Sequence, residues 1–436
     1  MVELSDWGFN DDITTVYPSN LFEPSFPRIS QHDKLRTNTE GIIIYLQYKE
    51  SKDLWTLSDG TLAMINYLKV NKIKSEISEA GKTLQQIVRT VGGLIKLGSI
   101  ANSKLIELLN KMAHKQVKIV DGGDGITKEY LGRTVQYVTI NRLIKEIAID
   151  RYFNPISLEA LINNNVIQLG LEVECEVCGN INWYLINNLN YKLSCENCLR
   201  TFNFPSANPT NRKINWSYRV IGPFSKPDYA NGGYSAALAL RLFRHNLGGM
   251  SNSKISWSTS LNLDAGKNQK WEVDFLMWYQ RTRILENNYN VDLIAGESKS
   301  YGKQSFKVKD VQSLKKIALY FPGSILVFAT LKDDLSKEEK EIITSLALWG
   351  RDSLSDGRSR APVIILTATE LFAADDLRRT YMDKGGIYAK LVSPGYVNLE
   401  NLRVLSDITQ QIHLEMNSYH DWLQDKYKKK IKGATV

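Results

Sequence analysis

Val291-Asp292-Leu293-Ile294-Ala295-Gly296-Glu297-Ser298-Lys299 is an apolar run that closes on a carboxylate and an ammonium two residues apart. Read as a strand, it alternates its side chains between faces, so Glu297 and Lys299 point the same way. A carboxylate beside an ammonium at the end of a buried strand suits one task, holding a divalent metal against a phosphate, provided a second acid lies nearby.

The flanking sequence supplies that acid. Trp271-Glu272-Val273-Asp274-Phe275-Leu276-Met277-Trp278 reads as a strand with Glu272, Asp274 and Leu276 on one face. Before it, Tyr234 to Arg244 has helical spacing and Lys254 to Leu263 reads as a strand. After the opening run, Val311, Leu314, Ile317 and Ala318 mark a helix over Val308 to Tyr320. A strand at Ser324 to Thr330 follows, with a further strand expected at Ala361 to Leu366.

Helix, strands, helix, strand, with acids on the central strands, resembles the PD-(D/E)xK nuclease superfamily over residues 212–332. Asp274 stands at the family's first acidic position and Glu297-Ser298-Lys299 at its second, 23 residues on. Val273 replaces the proline of the family name. The resemblance implies a mixed α/β, restriction-endonuclease-like core, a central mixed sheet flanked by helices. It also implies metal-dependent phosphodiester hydrolysis, with DNA as the expected substrate and RNA still open.

Chemistry gives the roles. Mg²⁺ or Mn²⁺ takes hard oxygen ligands and retains waters, so Asp274, Glu297 and the backbone carbonyl of Ser298 are the expected ligands. Glu272 is a further candidate ligand, with a plain polar strand position as the alternative. Lys299 would orient or deprotonate the attacking water and stabilise the charge on phosphate. The resemblance also points to Gln312, on the following helix, as facing the site; an exposed helix position is the other reading. Lys303 and Lys307 are candidate phosphate contacts.

All four cysteines fall within 24 residues, as Cys175-Glu-Val-Cys178 and Cys195-Glu-Asn-Cys198, with sixteen residues between the pairs. Each pair can fill two corners of a tetrahedron around Zn²⁺, and the stretch 173–204 resembles a zinc ribbon. Four thiolates leave no place for a substrate, so the expected zinc is structural. Two disulfides are the counting alternative, and Trp183, Tyr184, Leu185, Phe202 and Phe204 are candidates to cover this small core.

At 436 residues the chain exceeds one ordinary core. The expected division is a mainly helical N-terminal region over 1–165, winged-helix-like in part, a zinc ribbon over 166–210, a nuclease-like domain over 211–371 and a helical extension over 372–436. Residues 60–115 and 126–170 have helical spacing, broken at Gly92-Gly93. Asp121 to Gly125 reads as a plain turn, lacking the Gly-Lys-Ser/Thr of a phosphate loop. A net charge of +8 favours a polyanionic partner. No apolar run reaches membrane-spanning length, and the acidic N-terminus has no secretory signal pattern, so a cytoplasmic protein is expected. No ATPase motif is present; a separate ATPase, another protein partner and self-association stay open. The rival to an enzyme is a non-catalytic nucleic-acid-binding or assembly protein with an inactive nuclease fold.

Overall fold

The computed structural model describes residues 35–38, 41–44, 60–113, 116–122, 125–131, 134–136, 140–142, 144–145, 156–204, 214–246, 254–266, 269–280, 291–300, 305–355, 357–374, 376–395 and 397–433. Lys303 and the tip of the Asp121–Gly125 turn lie outside them. The chain divides into two compact units, one from Met1–Gln85, Gly93–Ile95 and Gly232–Val436, the other from Gln86–Gly92 and Lys96–Asn231. Among the described residues no helix is long and apolar enough to cross a membrane.

In the first unit we label, in chain order, α1 (Gly60–Val70), β1 (Lys74–Ile77), α2 (Gly233–Arg241), β2 (Lys254–Asp264), β3 (Lys270–Gln280), β4 (Val291–Lys299), α3 (Val308–Tyr320), β5 (Ile325–Thr330), α4 (Lys337–Arg351), β6 (Val363–Leu366), α5 (Ala368–Leu371), α6 (Leu377–Lys384) and α7 (Leu402–His413). The six strands form a central mixed sheet in the order β6-β5-β4-β3-β2-β1. Strands β1 to β4 pair antiparallel, whereas β4, β5 and β6 run parallel. Parallel neighbours need a crossover, and α3 and α4 provide the two. Ala295, Leu326, Phe328, Val363 and Ile365 share a core with Leu314 and Ile317 of α3 and Ile343 and Leu346 of α4. Buried on both faces, β6 is wholly apolar and β5 is apolar up to its last residue, Thr330.

Gly296 is needed at the heart of this sheet. It pairs with Phe275, whose ring lies over it, so that an added Cβ would sit 2.0 Å from the ring's Cζ. Gly296→Ala is therefore expected to destabilise the fold by about 1–3 kcal/mol through overpacking. Urea titration would show this, and an unchanged midpoint would refute it.

Buried polar groups pin the C-terminal helices. Thr367 donates to Glu370 through its backbone N–H (2.7 Å) and its hydroxyl (2.9 Å), and Tyr381 donates to the other carboxylate oxygen at 2.7 Å. His413 lies buried 3.0 Å from that same oxygen.

The N-terminal stretch is less helical than its spacing predicts. Helices occupy Gly60–Val70, Glu79–Val91 and Ser103–Ala113, and Gly92 and Gly93 break the second as expected, with φ of 80° and 114°. Between the first two helices, Lys74–Ile77 joins the central sheet as β1, beside β2. Residues expected to be helical form the strands Gly125–Leu131 and Thr134–Gln136; β-branched and aromatic residues such as Ile126, Thr127, Tyr130, Thr134 and Val135 favour extended backbone.

In the second unit, Thr134–Gln136, Ile214–Val220, Ile167–Glu174 and Ile181–Leu185 form an antiparallel sheet in that order. Lys192–Ser194 and Thr201–Asn203 form a separate hairpin.

Candidate functional site

The carboxyl end of β4 gathers the charged side chains expected there. Pairing of β3 with β4 stops at Phe275–Gly296, and from that point Asp274 reaches across. Its Oδ2 accepts from the Ser298 backbone N–H at 2.6 Å and from the Ser298 hydroxyl at 2.9 Å. Asp274 is half-buried as a residue, but this pairing turns its carboxylate inward. Glu297 and Ser298 are buried, and Lys299 Nζ donates to Glu297 Oε1 at 2.5 Å.

A second carboxylate holds Lys299 from α3. Asp310 Oδ2 lies 3.6 Å from its Nζ and also accepts from the Lys307 backbone N–H at 2.8 Å, capping the helix. The Phe306 ring stands 5.9 Å from the same ammonium. Asp310 was missed in the sequence reading; its signal was an acid three residues after the cap position of a predicted helix. Gln312, two residues on and about 200° round the helix, is exposed. Among the described residues it makes no hydrogen bond to the charged cluster. Glu272 is exposed and accepts from the Ser260 hydroxyl at 2.7 Å, and Ser260 accepts in turn from Ser78 at 2.8 Å.

Charge is crowded here. Burial pushes the Glu297 carboxyl up to about 8, with the Asp274 charge adding to the rise and Lys299 opposing it. Asp274 is also raised by burial, against the pull of Lys299 and the Ser298 hydrogen bonds. Burial alone would lower Lys299, but Glu297 and Asp274 outweigh it and hold its pKa above the ordinary lysine value.

An acid whose pKa rises on folding contributes stability below its unfolded value, here 4.5, and loses it as pH climbs through about 8. In EDTA the wild type should therefore lose melting temperature relative to Glu297→Gln between about pH 5 and about pH 8.5. Parallel melting curves across that range would remove the claim of a strained carboxylate.

These donors fit a small hard cation. Mg²⁺ is held by one or two carboxylates together with waters and substrate phosphates, and Asp274 and Glu297 supply two. Among the described residues, the His, Cys, Asp or Glu groups that bring three or more ligand atoms within 4.8 Å of one another comprise the four cysteines alone. Glu272 therefore does not close into such a set with Asp274 and Glu297.

The cysteine cluster lies in the second unit. Cys175 Sγ and Cys198 Sγ are 3.8 Å apart, and Cys178 Sγ and Cys195 Sγ 3.6 Å. Zinc–sulfur bonds of about 2.3 Å arranged tetrahedrally separate sulfurs by roughly 3.8 Å, so the cluster is able to hold a metal. All four thiols are free, against the two-disulfide alternative. The two knuckles match: Gly179 N–H donates to the Cys175 carbonyl at 2.9 Å, and Leu199 N–H to that of Cys195 at 3.0 Å. Backbone N–H groups of Cys198 and Asn197, with Asn182, draw the Cys195 thiol down to about 6, although burial opposes them. Leu171, Val173, Leu193 and Phe202 pack with Cys175 and Cys195, and Tyr184 and Phe204 flank them. Trp183, expected in that cover, instead donates through its indole N–H to the Ser217 carbonyl at 3.2 Å.

No family model matches this chain, and no curated protein matches it. It is similar to a solved structure, the crystal structure of protein VC1899 from Vibrio cholerae, at a TM-score of 0.28 and 12% identity, over 74% of this chain and 62% of that one. The chain thus spans less than two thirds of that structure, and so loose a likeness carries no inference about fold or site.

Proposed function

We propose that the protein is a metal-dependent nuclease with a restriction-endonuclease-like core and a structural zinc ribbon, acting on nucleic acid, with DNA the expected substrate. The observation that carries this reading is the meeting of Asp274, Glu297 and Lys299 at the carboxyl end of β4, with both carboxylates held in a crowded, buried place. Such perturbed groups concentrate at functional sites. Asp274 and Glu297 would hold Mg²⁺ or Mn²⁺, which when bound supplies Lewis acidity and a more acidic water.

The rest of the chemistry falls to the chain's own residues. Ser298 fixes Asp274 through Oδ2, leaving Oδ1 available as a ligand atom. Lys299, flanked by Glu297 and Asp310, is kept as an ammonium. That favours orienting the attacking water and stabilising charge on phosphate over acting as a base. Asp310 keeps its grip on Lys299 when Glu297 serves as a ligand.

A second reading, a non-catalytic nucleic-acid-binding or assembly protein, draws on a different observation. The cysteines are the ligand set of metal-binding spacing among the described residues, and the acidic site offers two carboxylates where Glu272 was a candidate third. Incubating wild type and Lys299→Ala with linear, nicked, supercoiled and single-stranded DNA and with structured RNA, with and without Mn²⁺, separates the two. Metal-dependent product from the wild type, lost in the variant, supports the nuclease. Salt-sensitive binding with no product from either supports the alternative.

A further inference from the structure

Helix α3 carries an outward stripe that the chemistry above does not use. Lys309, Gln312, Lys316 and Tyr320 recur at helical spacing, with Lys315 beside them. The helix's one acid, Asp310, is turned inward onto Lys299 and the helix cap. Among the described residues, none of Lys309, Lys315 and Lys316 has a carboxylate within 4.0 Å. Aromatic rings support two of them instead. Lys316 lies over Trp271 at 5.3 Å and Lys315 over Trp349 at 4.8 Å, where Arg360 joins it at 5.0 Å. Tyr320 stacks on Trp271 and remains 41% exposed.

We propose that this α3 surface, Lys309, Lys315 and Lys316 with Tyr320 at its far end, carries the phosphate backbone of a nucleic-acid substrate past the Asp274–Glu297–Lys299 site. The inference rests on the nuclease reading of that site and names where its substrate lies. Three features select a polyanion as the occupant. The face has cations and no exposed acid of its own, the rings hold two ammonium groups in place without neutralising them, and Lys309 adjoins Asp310, which touches Lys299. Lys309 to Lys316 spans about 10 Å of helix, which matches roughly three nucleotides of rise along one strand. Cationic tracks bordered by aromatic side chains suit nucleic acids. Gln312, in the middle of the stripe, takes a substrate-side place here and no catalytic one.

The test is fluorescence anisotropy of labelled single- and double-stranded oligonucleotides in EDTA over a salt series. It compares the full-length wild type, the triple variant Lys309→Gln/Lys315→Gln/Lys316→Gln, and its Lys→Arg counterpart. The Gln triple is expected to bind about tenfold or more weaker, with a plot of log affinity against log salt shallower by about 2–3. The Arg triple should keep both wild-type values, which distinguishes lost charge from a damaged fold. Equal affinity and slope for the wild type and the Gln triple, or no oligonucleotide binding by the wild type, would overturn the proposal. Cleavage separates its failure from that of the site. Metal-dependent cutting that disappears in Lys299→Ala but persists in the Gln triple, with unchanged binding, leaves the nuclease and removes this surface. Binding through the lysines without any cutting does the reverse.

Discussion

Lys299→Ala and Glu297→Gln are each expected to lower metal-dependent cleavage by about 10²–10³-fold or more, the cost of losing one preorganised charge at a site of developing negative charge. The two should fail differently. Lys299→Ala removes the ammonium that bridges Glu297 and Asp310, leaving two buried carboxylates without their shared counter-charge, so added metal should still bind and should stabilise this variant. Glu297→Gln keeps the shape but removes a ligand charge, so the stabilisation by Mn²⁺ in thermal melts should itself weaken. Neither change reaches the Leu314–Ile317–Phe328 core, so circular dichroism should remain that of the wild type. Undiminished cutting by both purified variants would remove the chemistry from this site.

The second large effect is expected in the cysteine cluster. Its apolar support is a handful of side chains, Leu171, Val173, Leu193 and Phe202, too few to order so short a stretch without a further constraint. Structural zinc supplies about 10–16 kcal/mol of apparent binding energy in small modules. Cys175→Ser or Cys195→Ser, at the two buried positions, should therefore abolish stoichiometric zinc and open residues 175–204 to proteolysis, while the melt of the central sheet persists. A strong chelator should do the same to the wild type, reversibly. Wild-type protein holding no zinc, or a proteolysis pattern unchanged in both variants, would refute a metal-supported fold here.

Several elements were legible from local pattern. The sequence reading placed β4 over Val291–Lys299 and α3 over Val308–Tyr320, the residues they occupy, because an apolar run and a 3.6-residue spacing are properties of neighbours along the chain. The closeness of the four sulfurs was legible for the same reason. The resemblance, and not alternation, implied that Asp274 and Glu297 would approach each other, and it did not imply that Ser298 would hold Asp274. That Asp310 would meet Lys299 was not legible, because the direction in which α3 presents its faces is set by Leu314 and Ile317 packing under the sheet, a tertiary fact. Lys74–Ile77 alternates exposed and half-buried residues over four positions, too short a pattern to distinguish a strand between two helices.

That short strand decides where the chain can be cut. β1 covers the edge of β2 from some 180 residues upstream, Leu261 pairing with Ile77 and Asp264 with Lys74. Ser78, just after it, anchors the hydroxyl that holds Glu272. A fragment beginning after the cysteines would contain every acid and lysine of the proposed active site and still lack the sheet's last strand. It would bare the edge of β2 as a template for pairing with other chains, and aggregate for a reason unrelated to its chemistry. The sheet can be completed only after a long loop has closed, which places it among slowly assembled topologies. Excision of residues 211–371 alone would therefore report on a broken sheet, whereas a fusion supplying residues 60–78 to the same fragment should restore solubility.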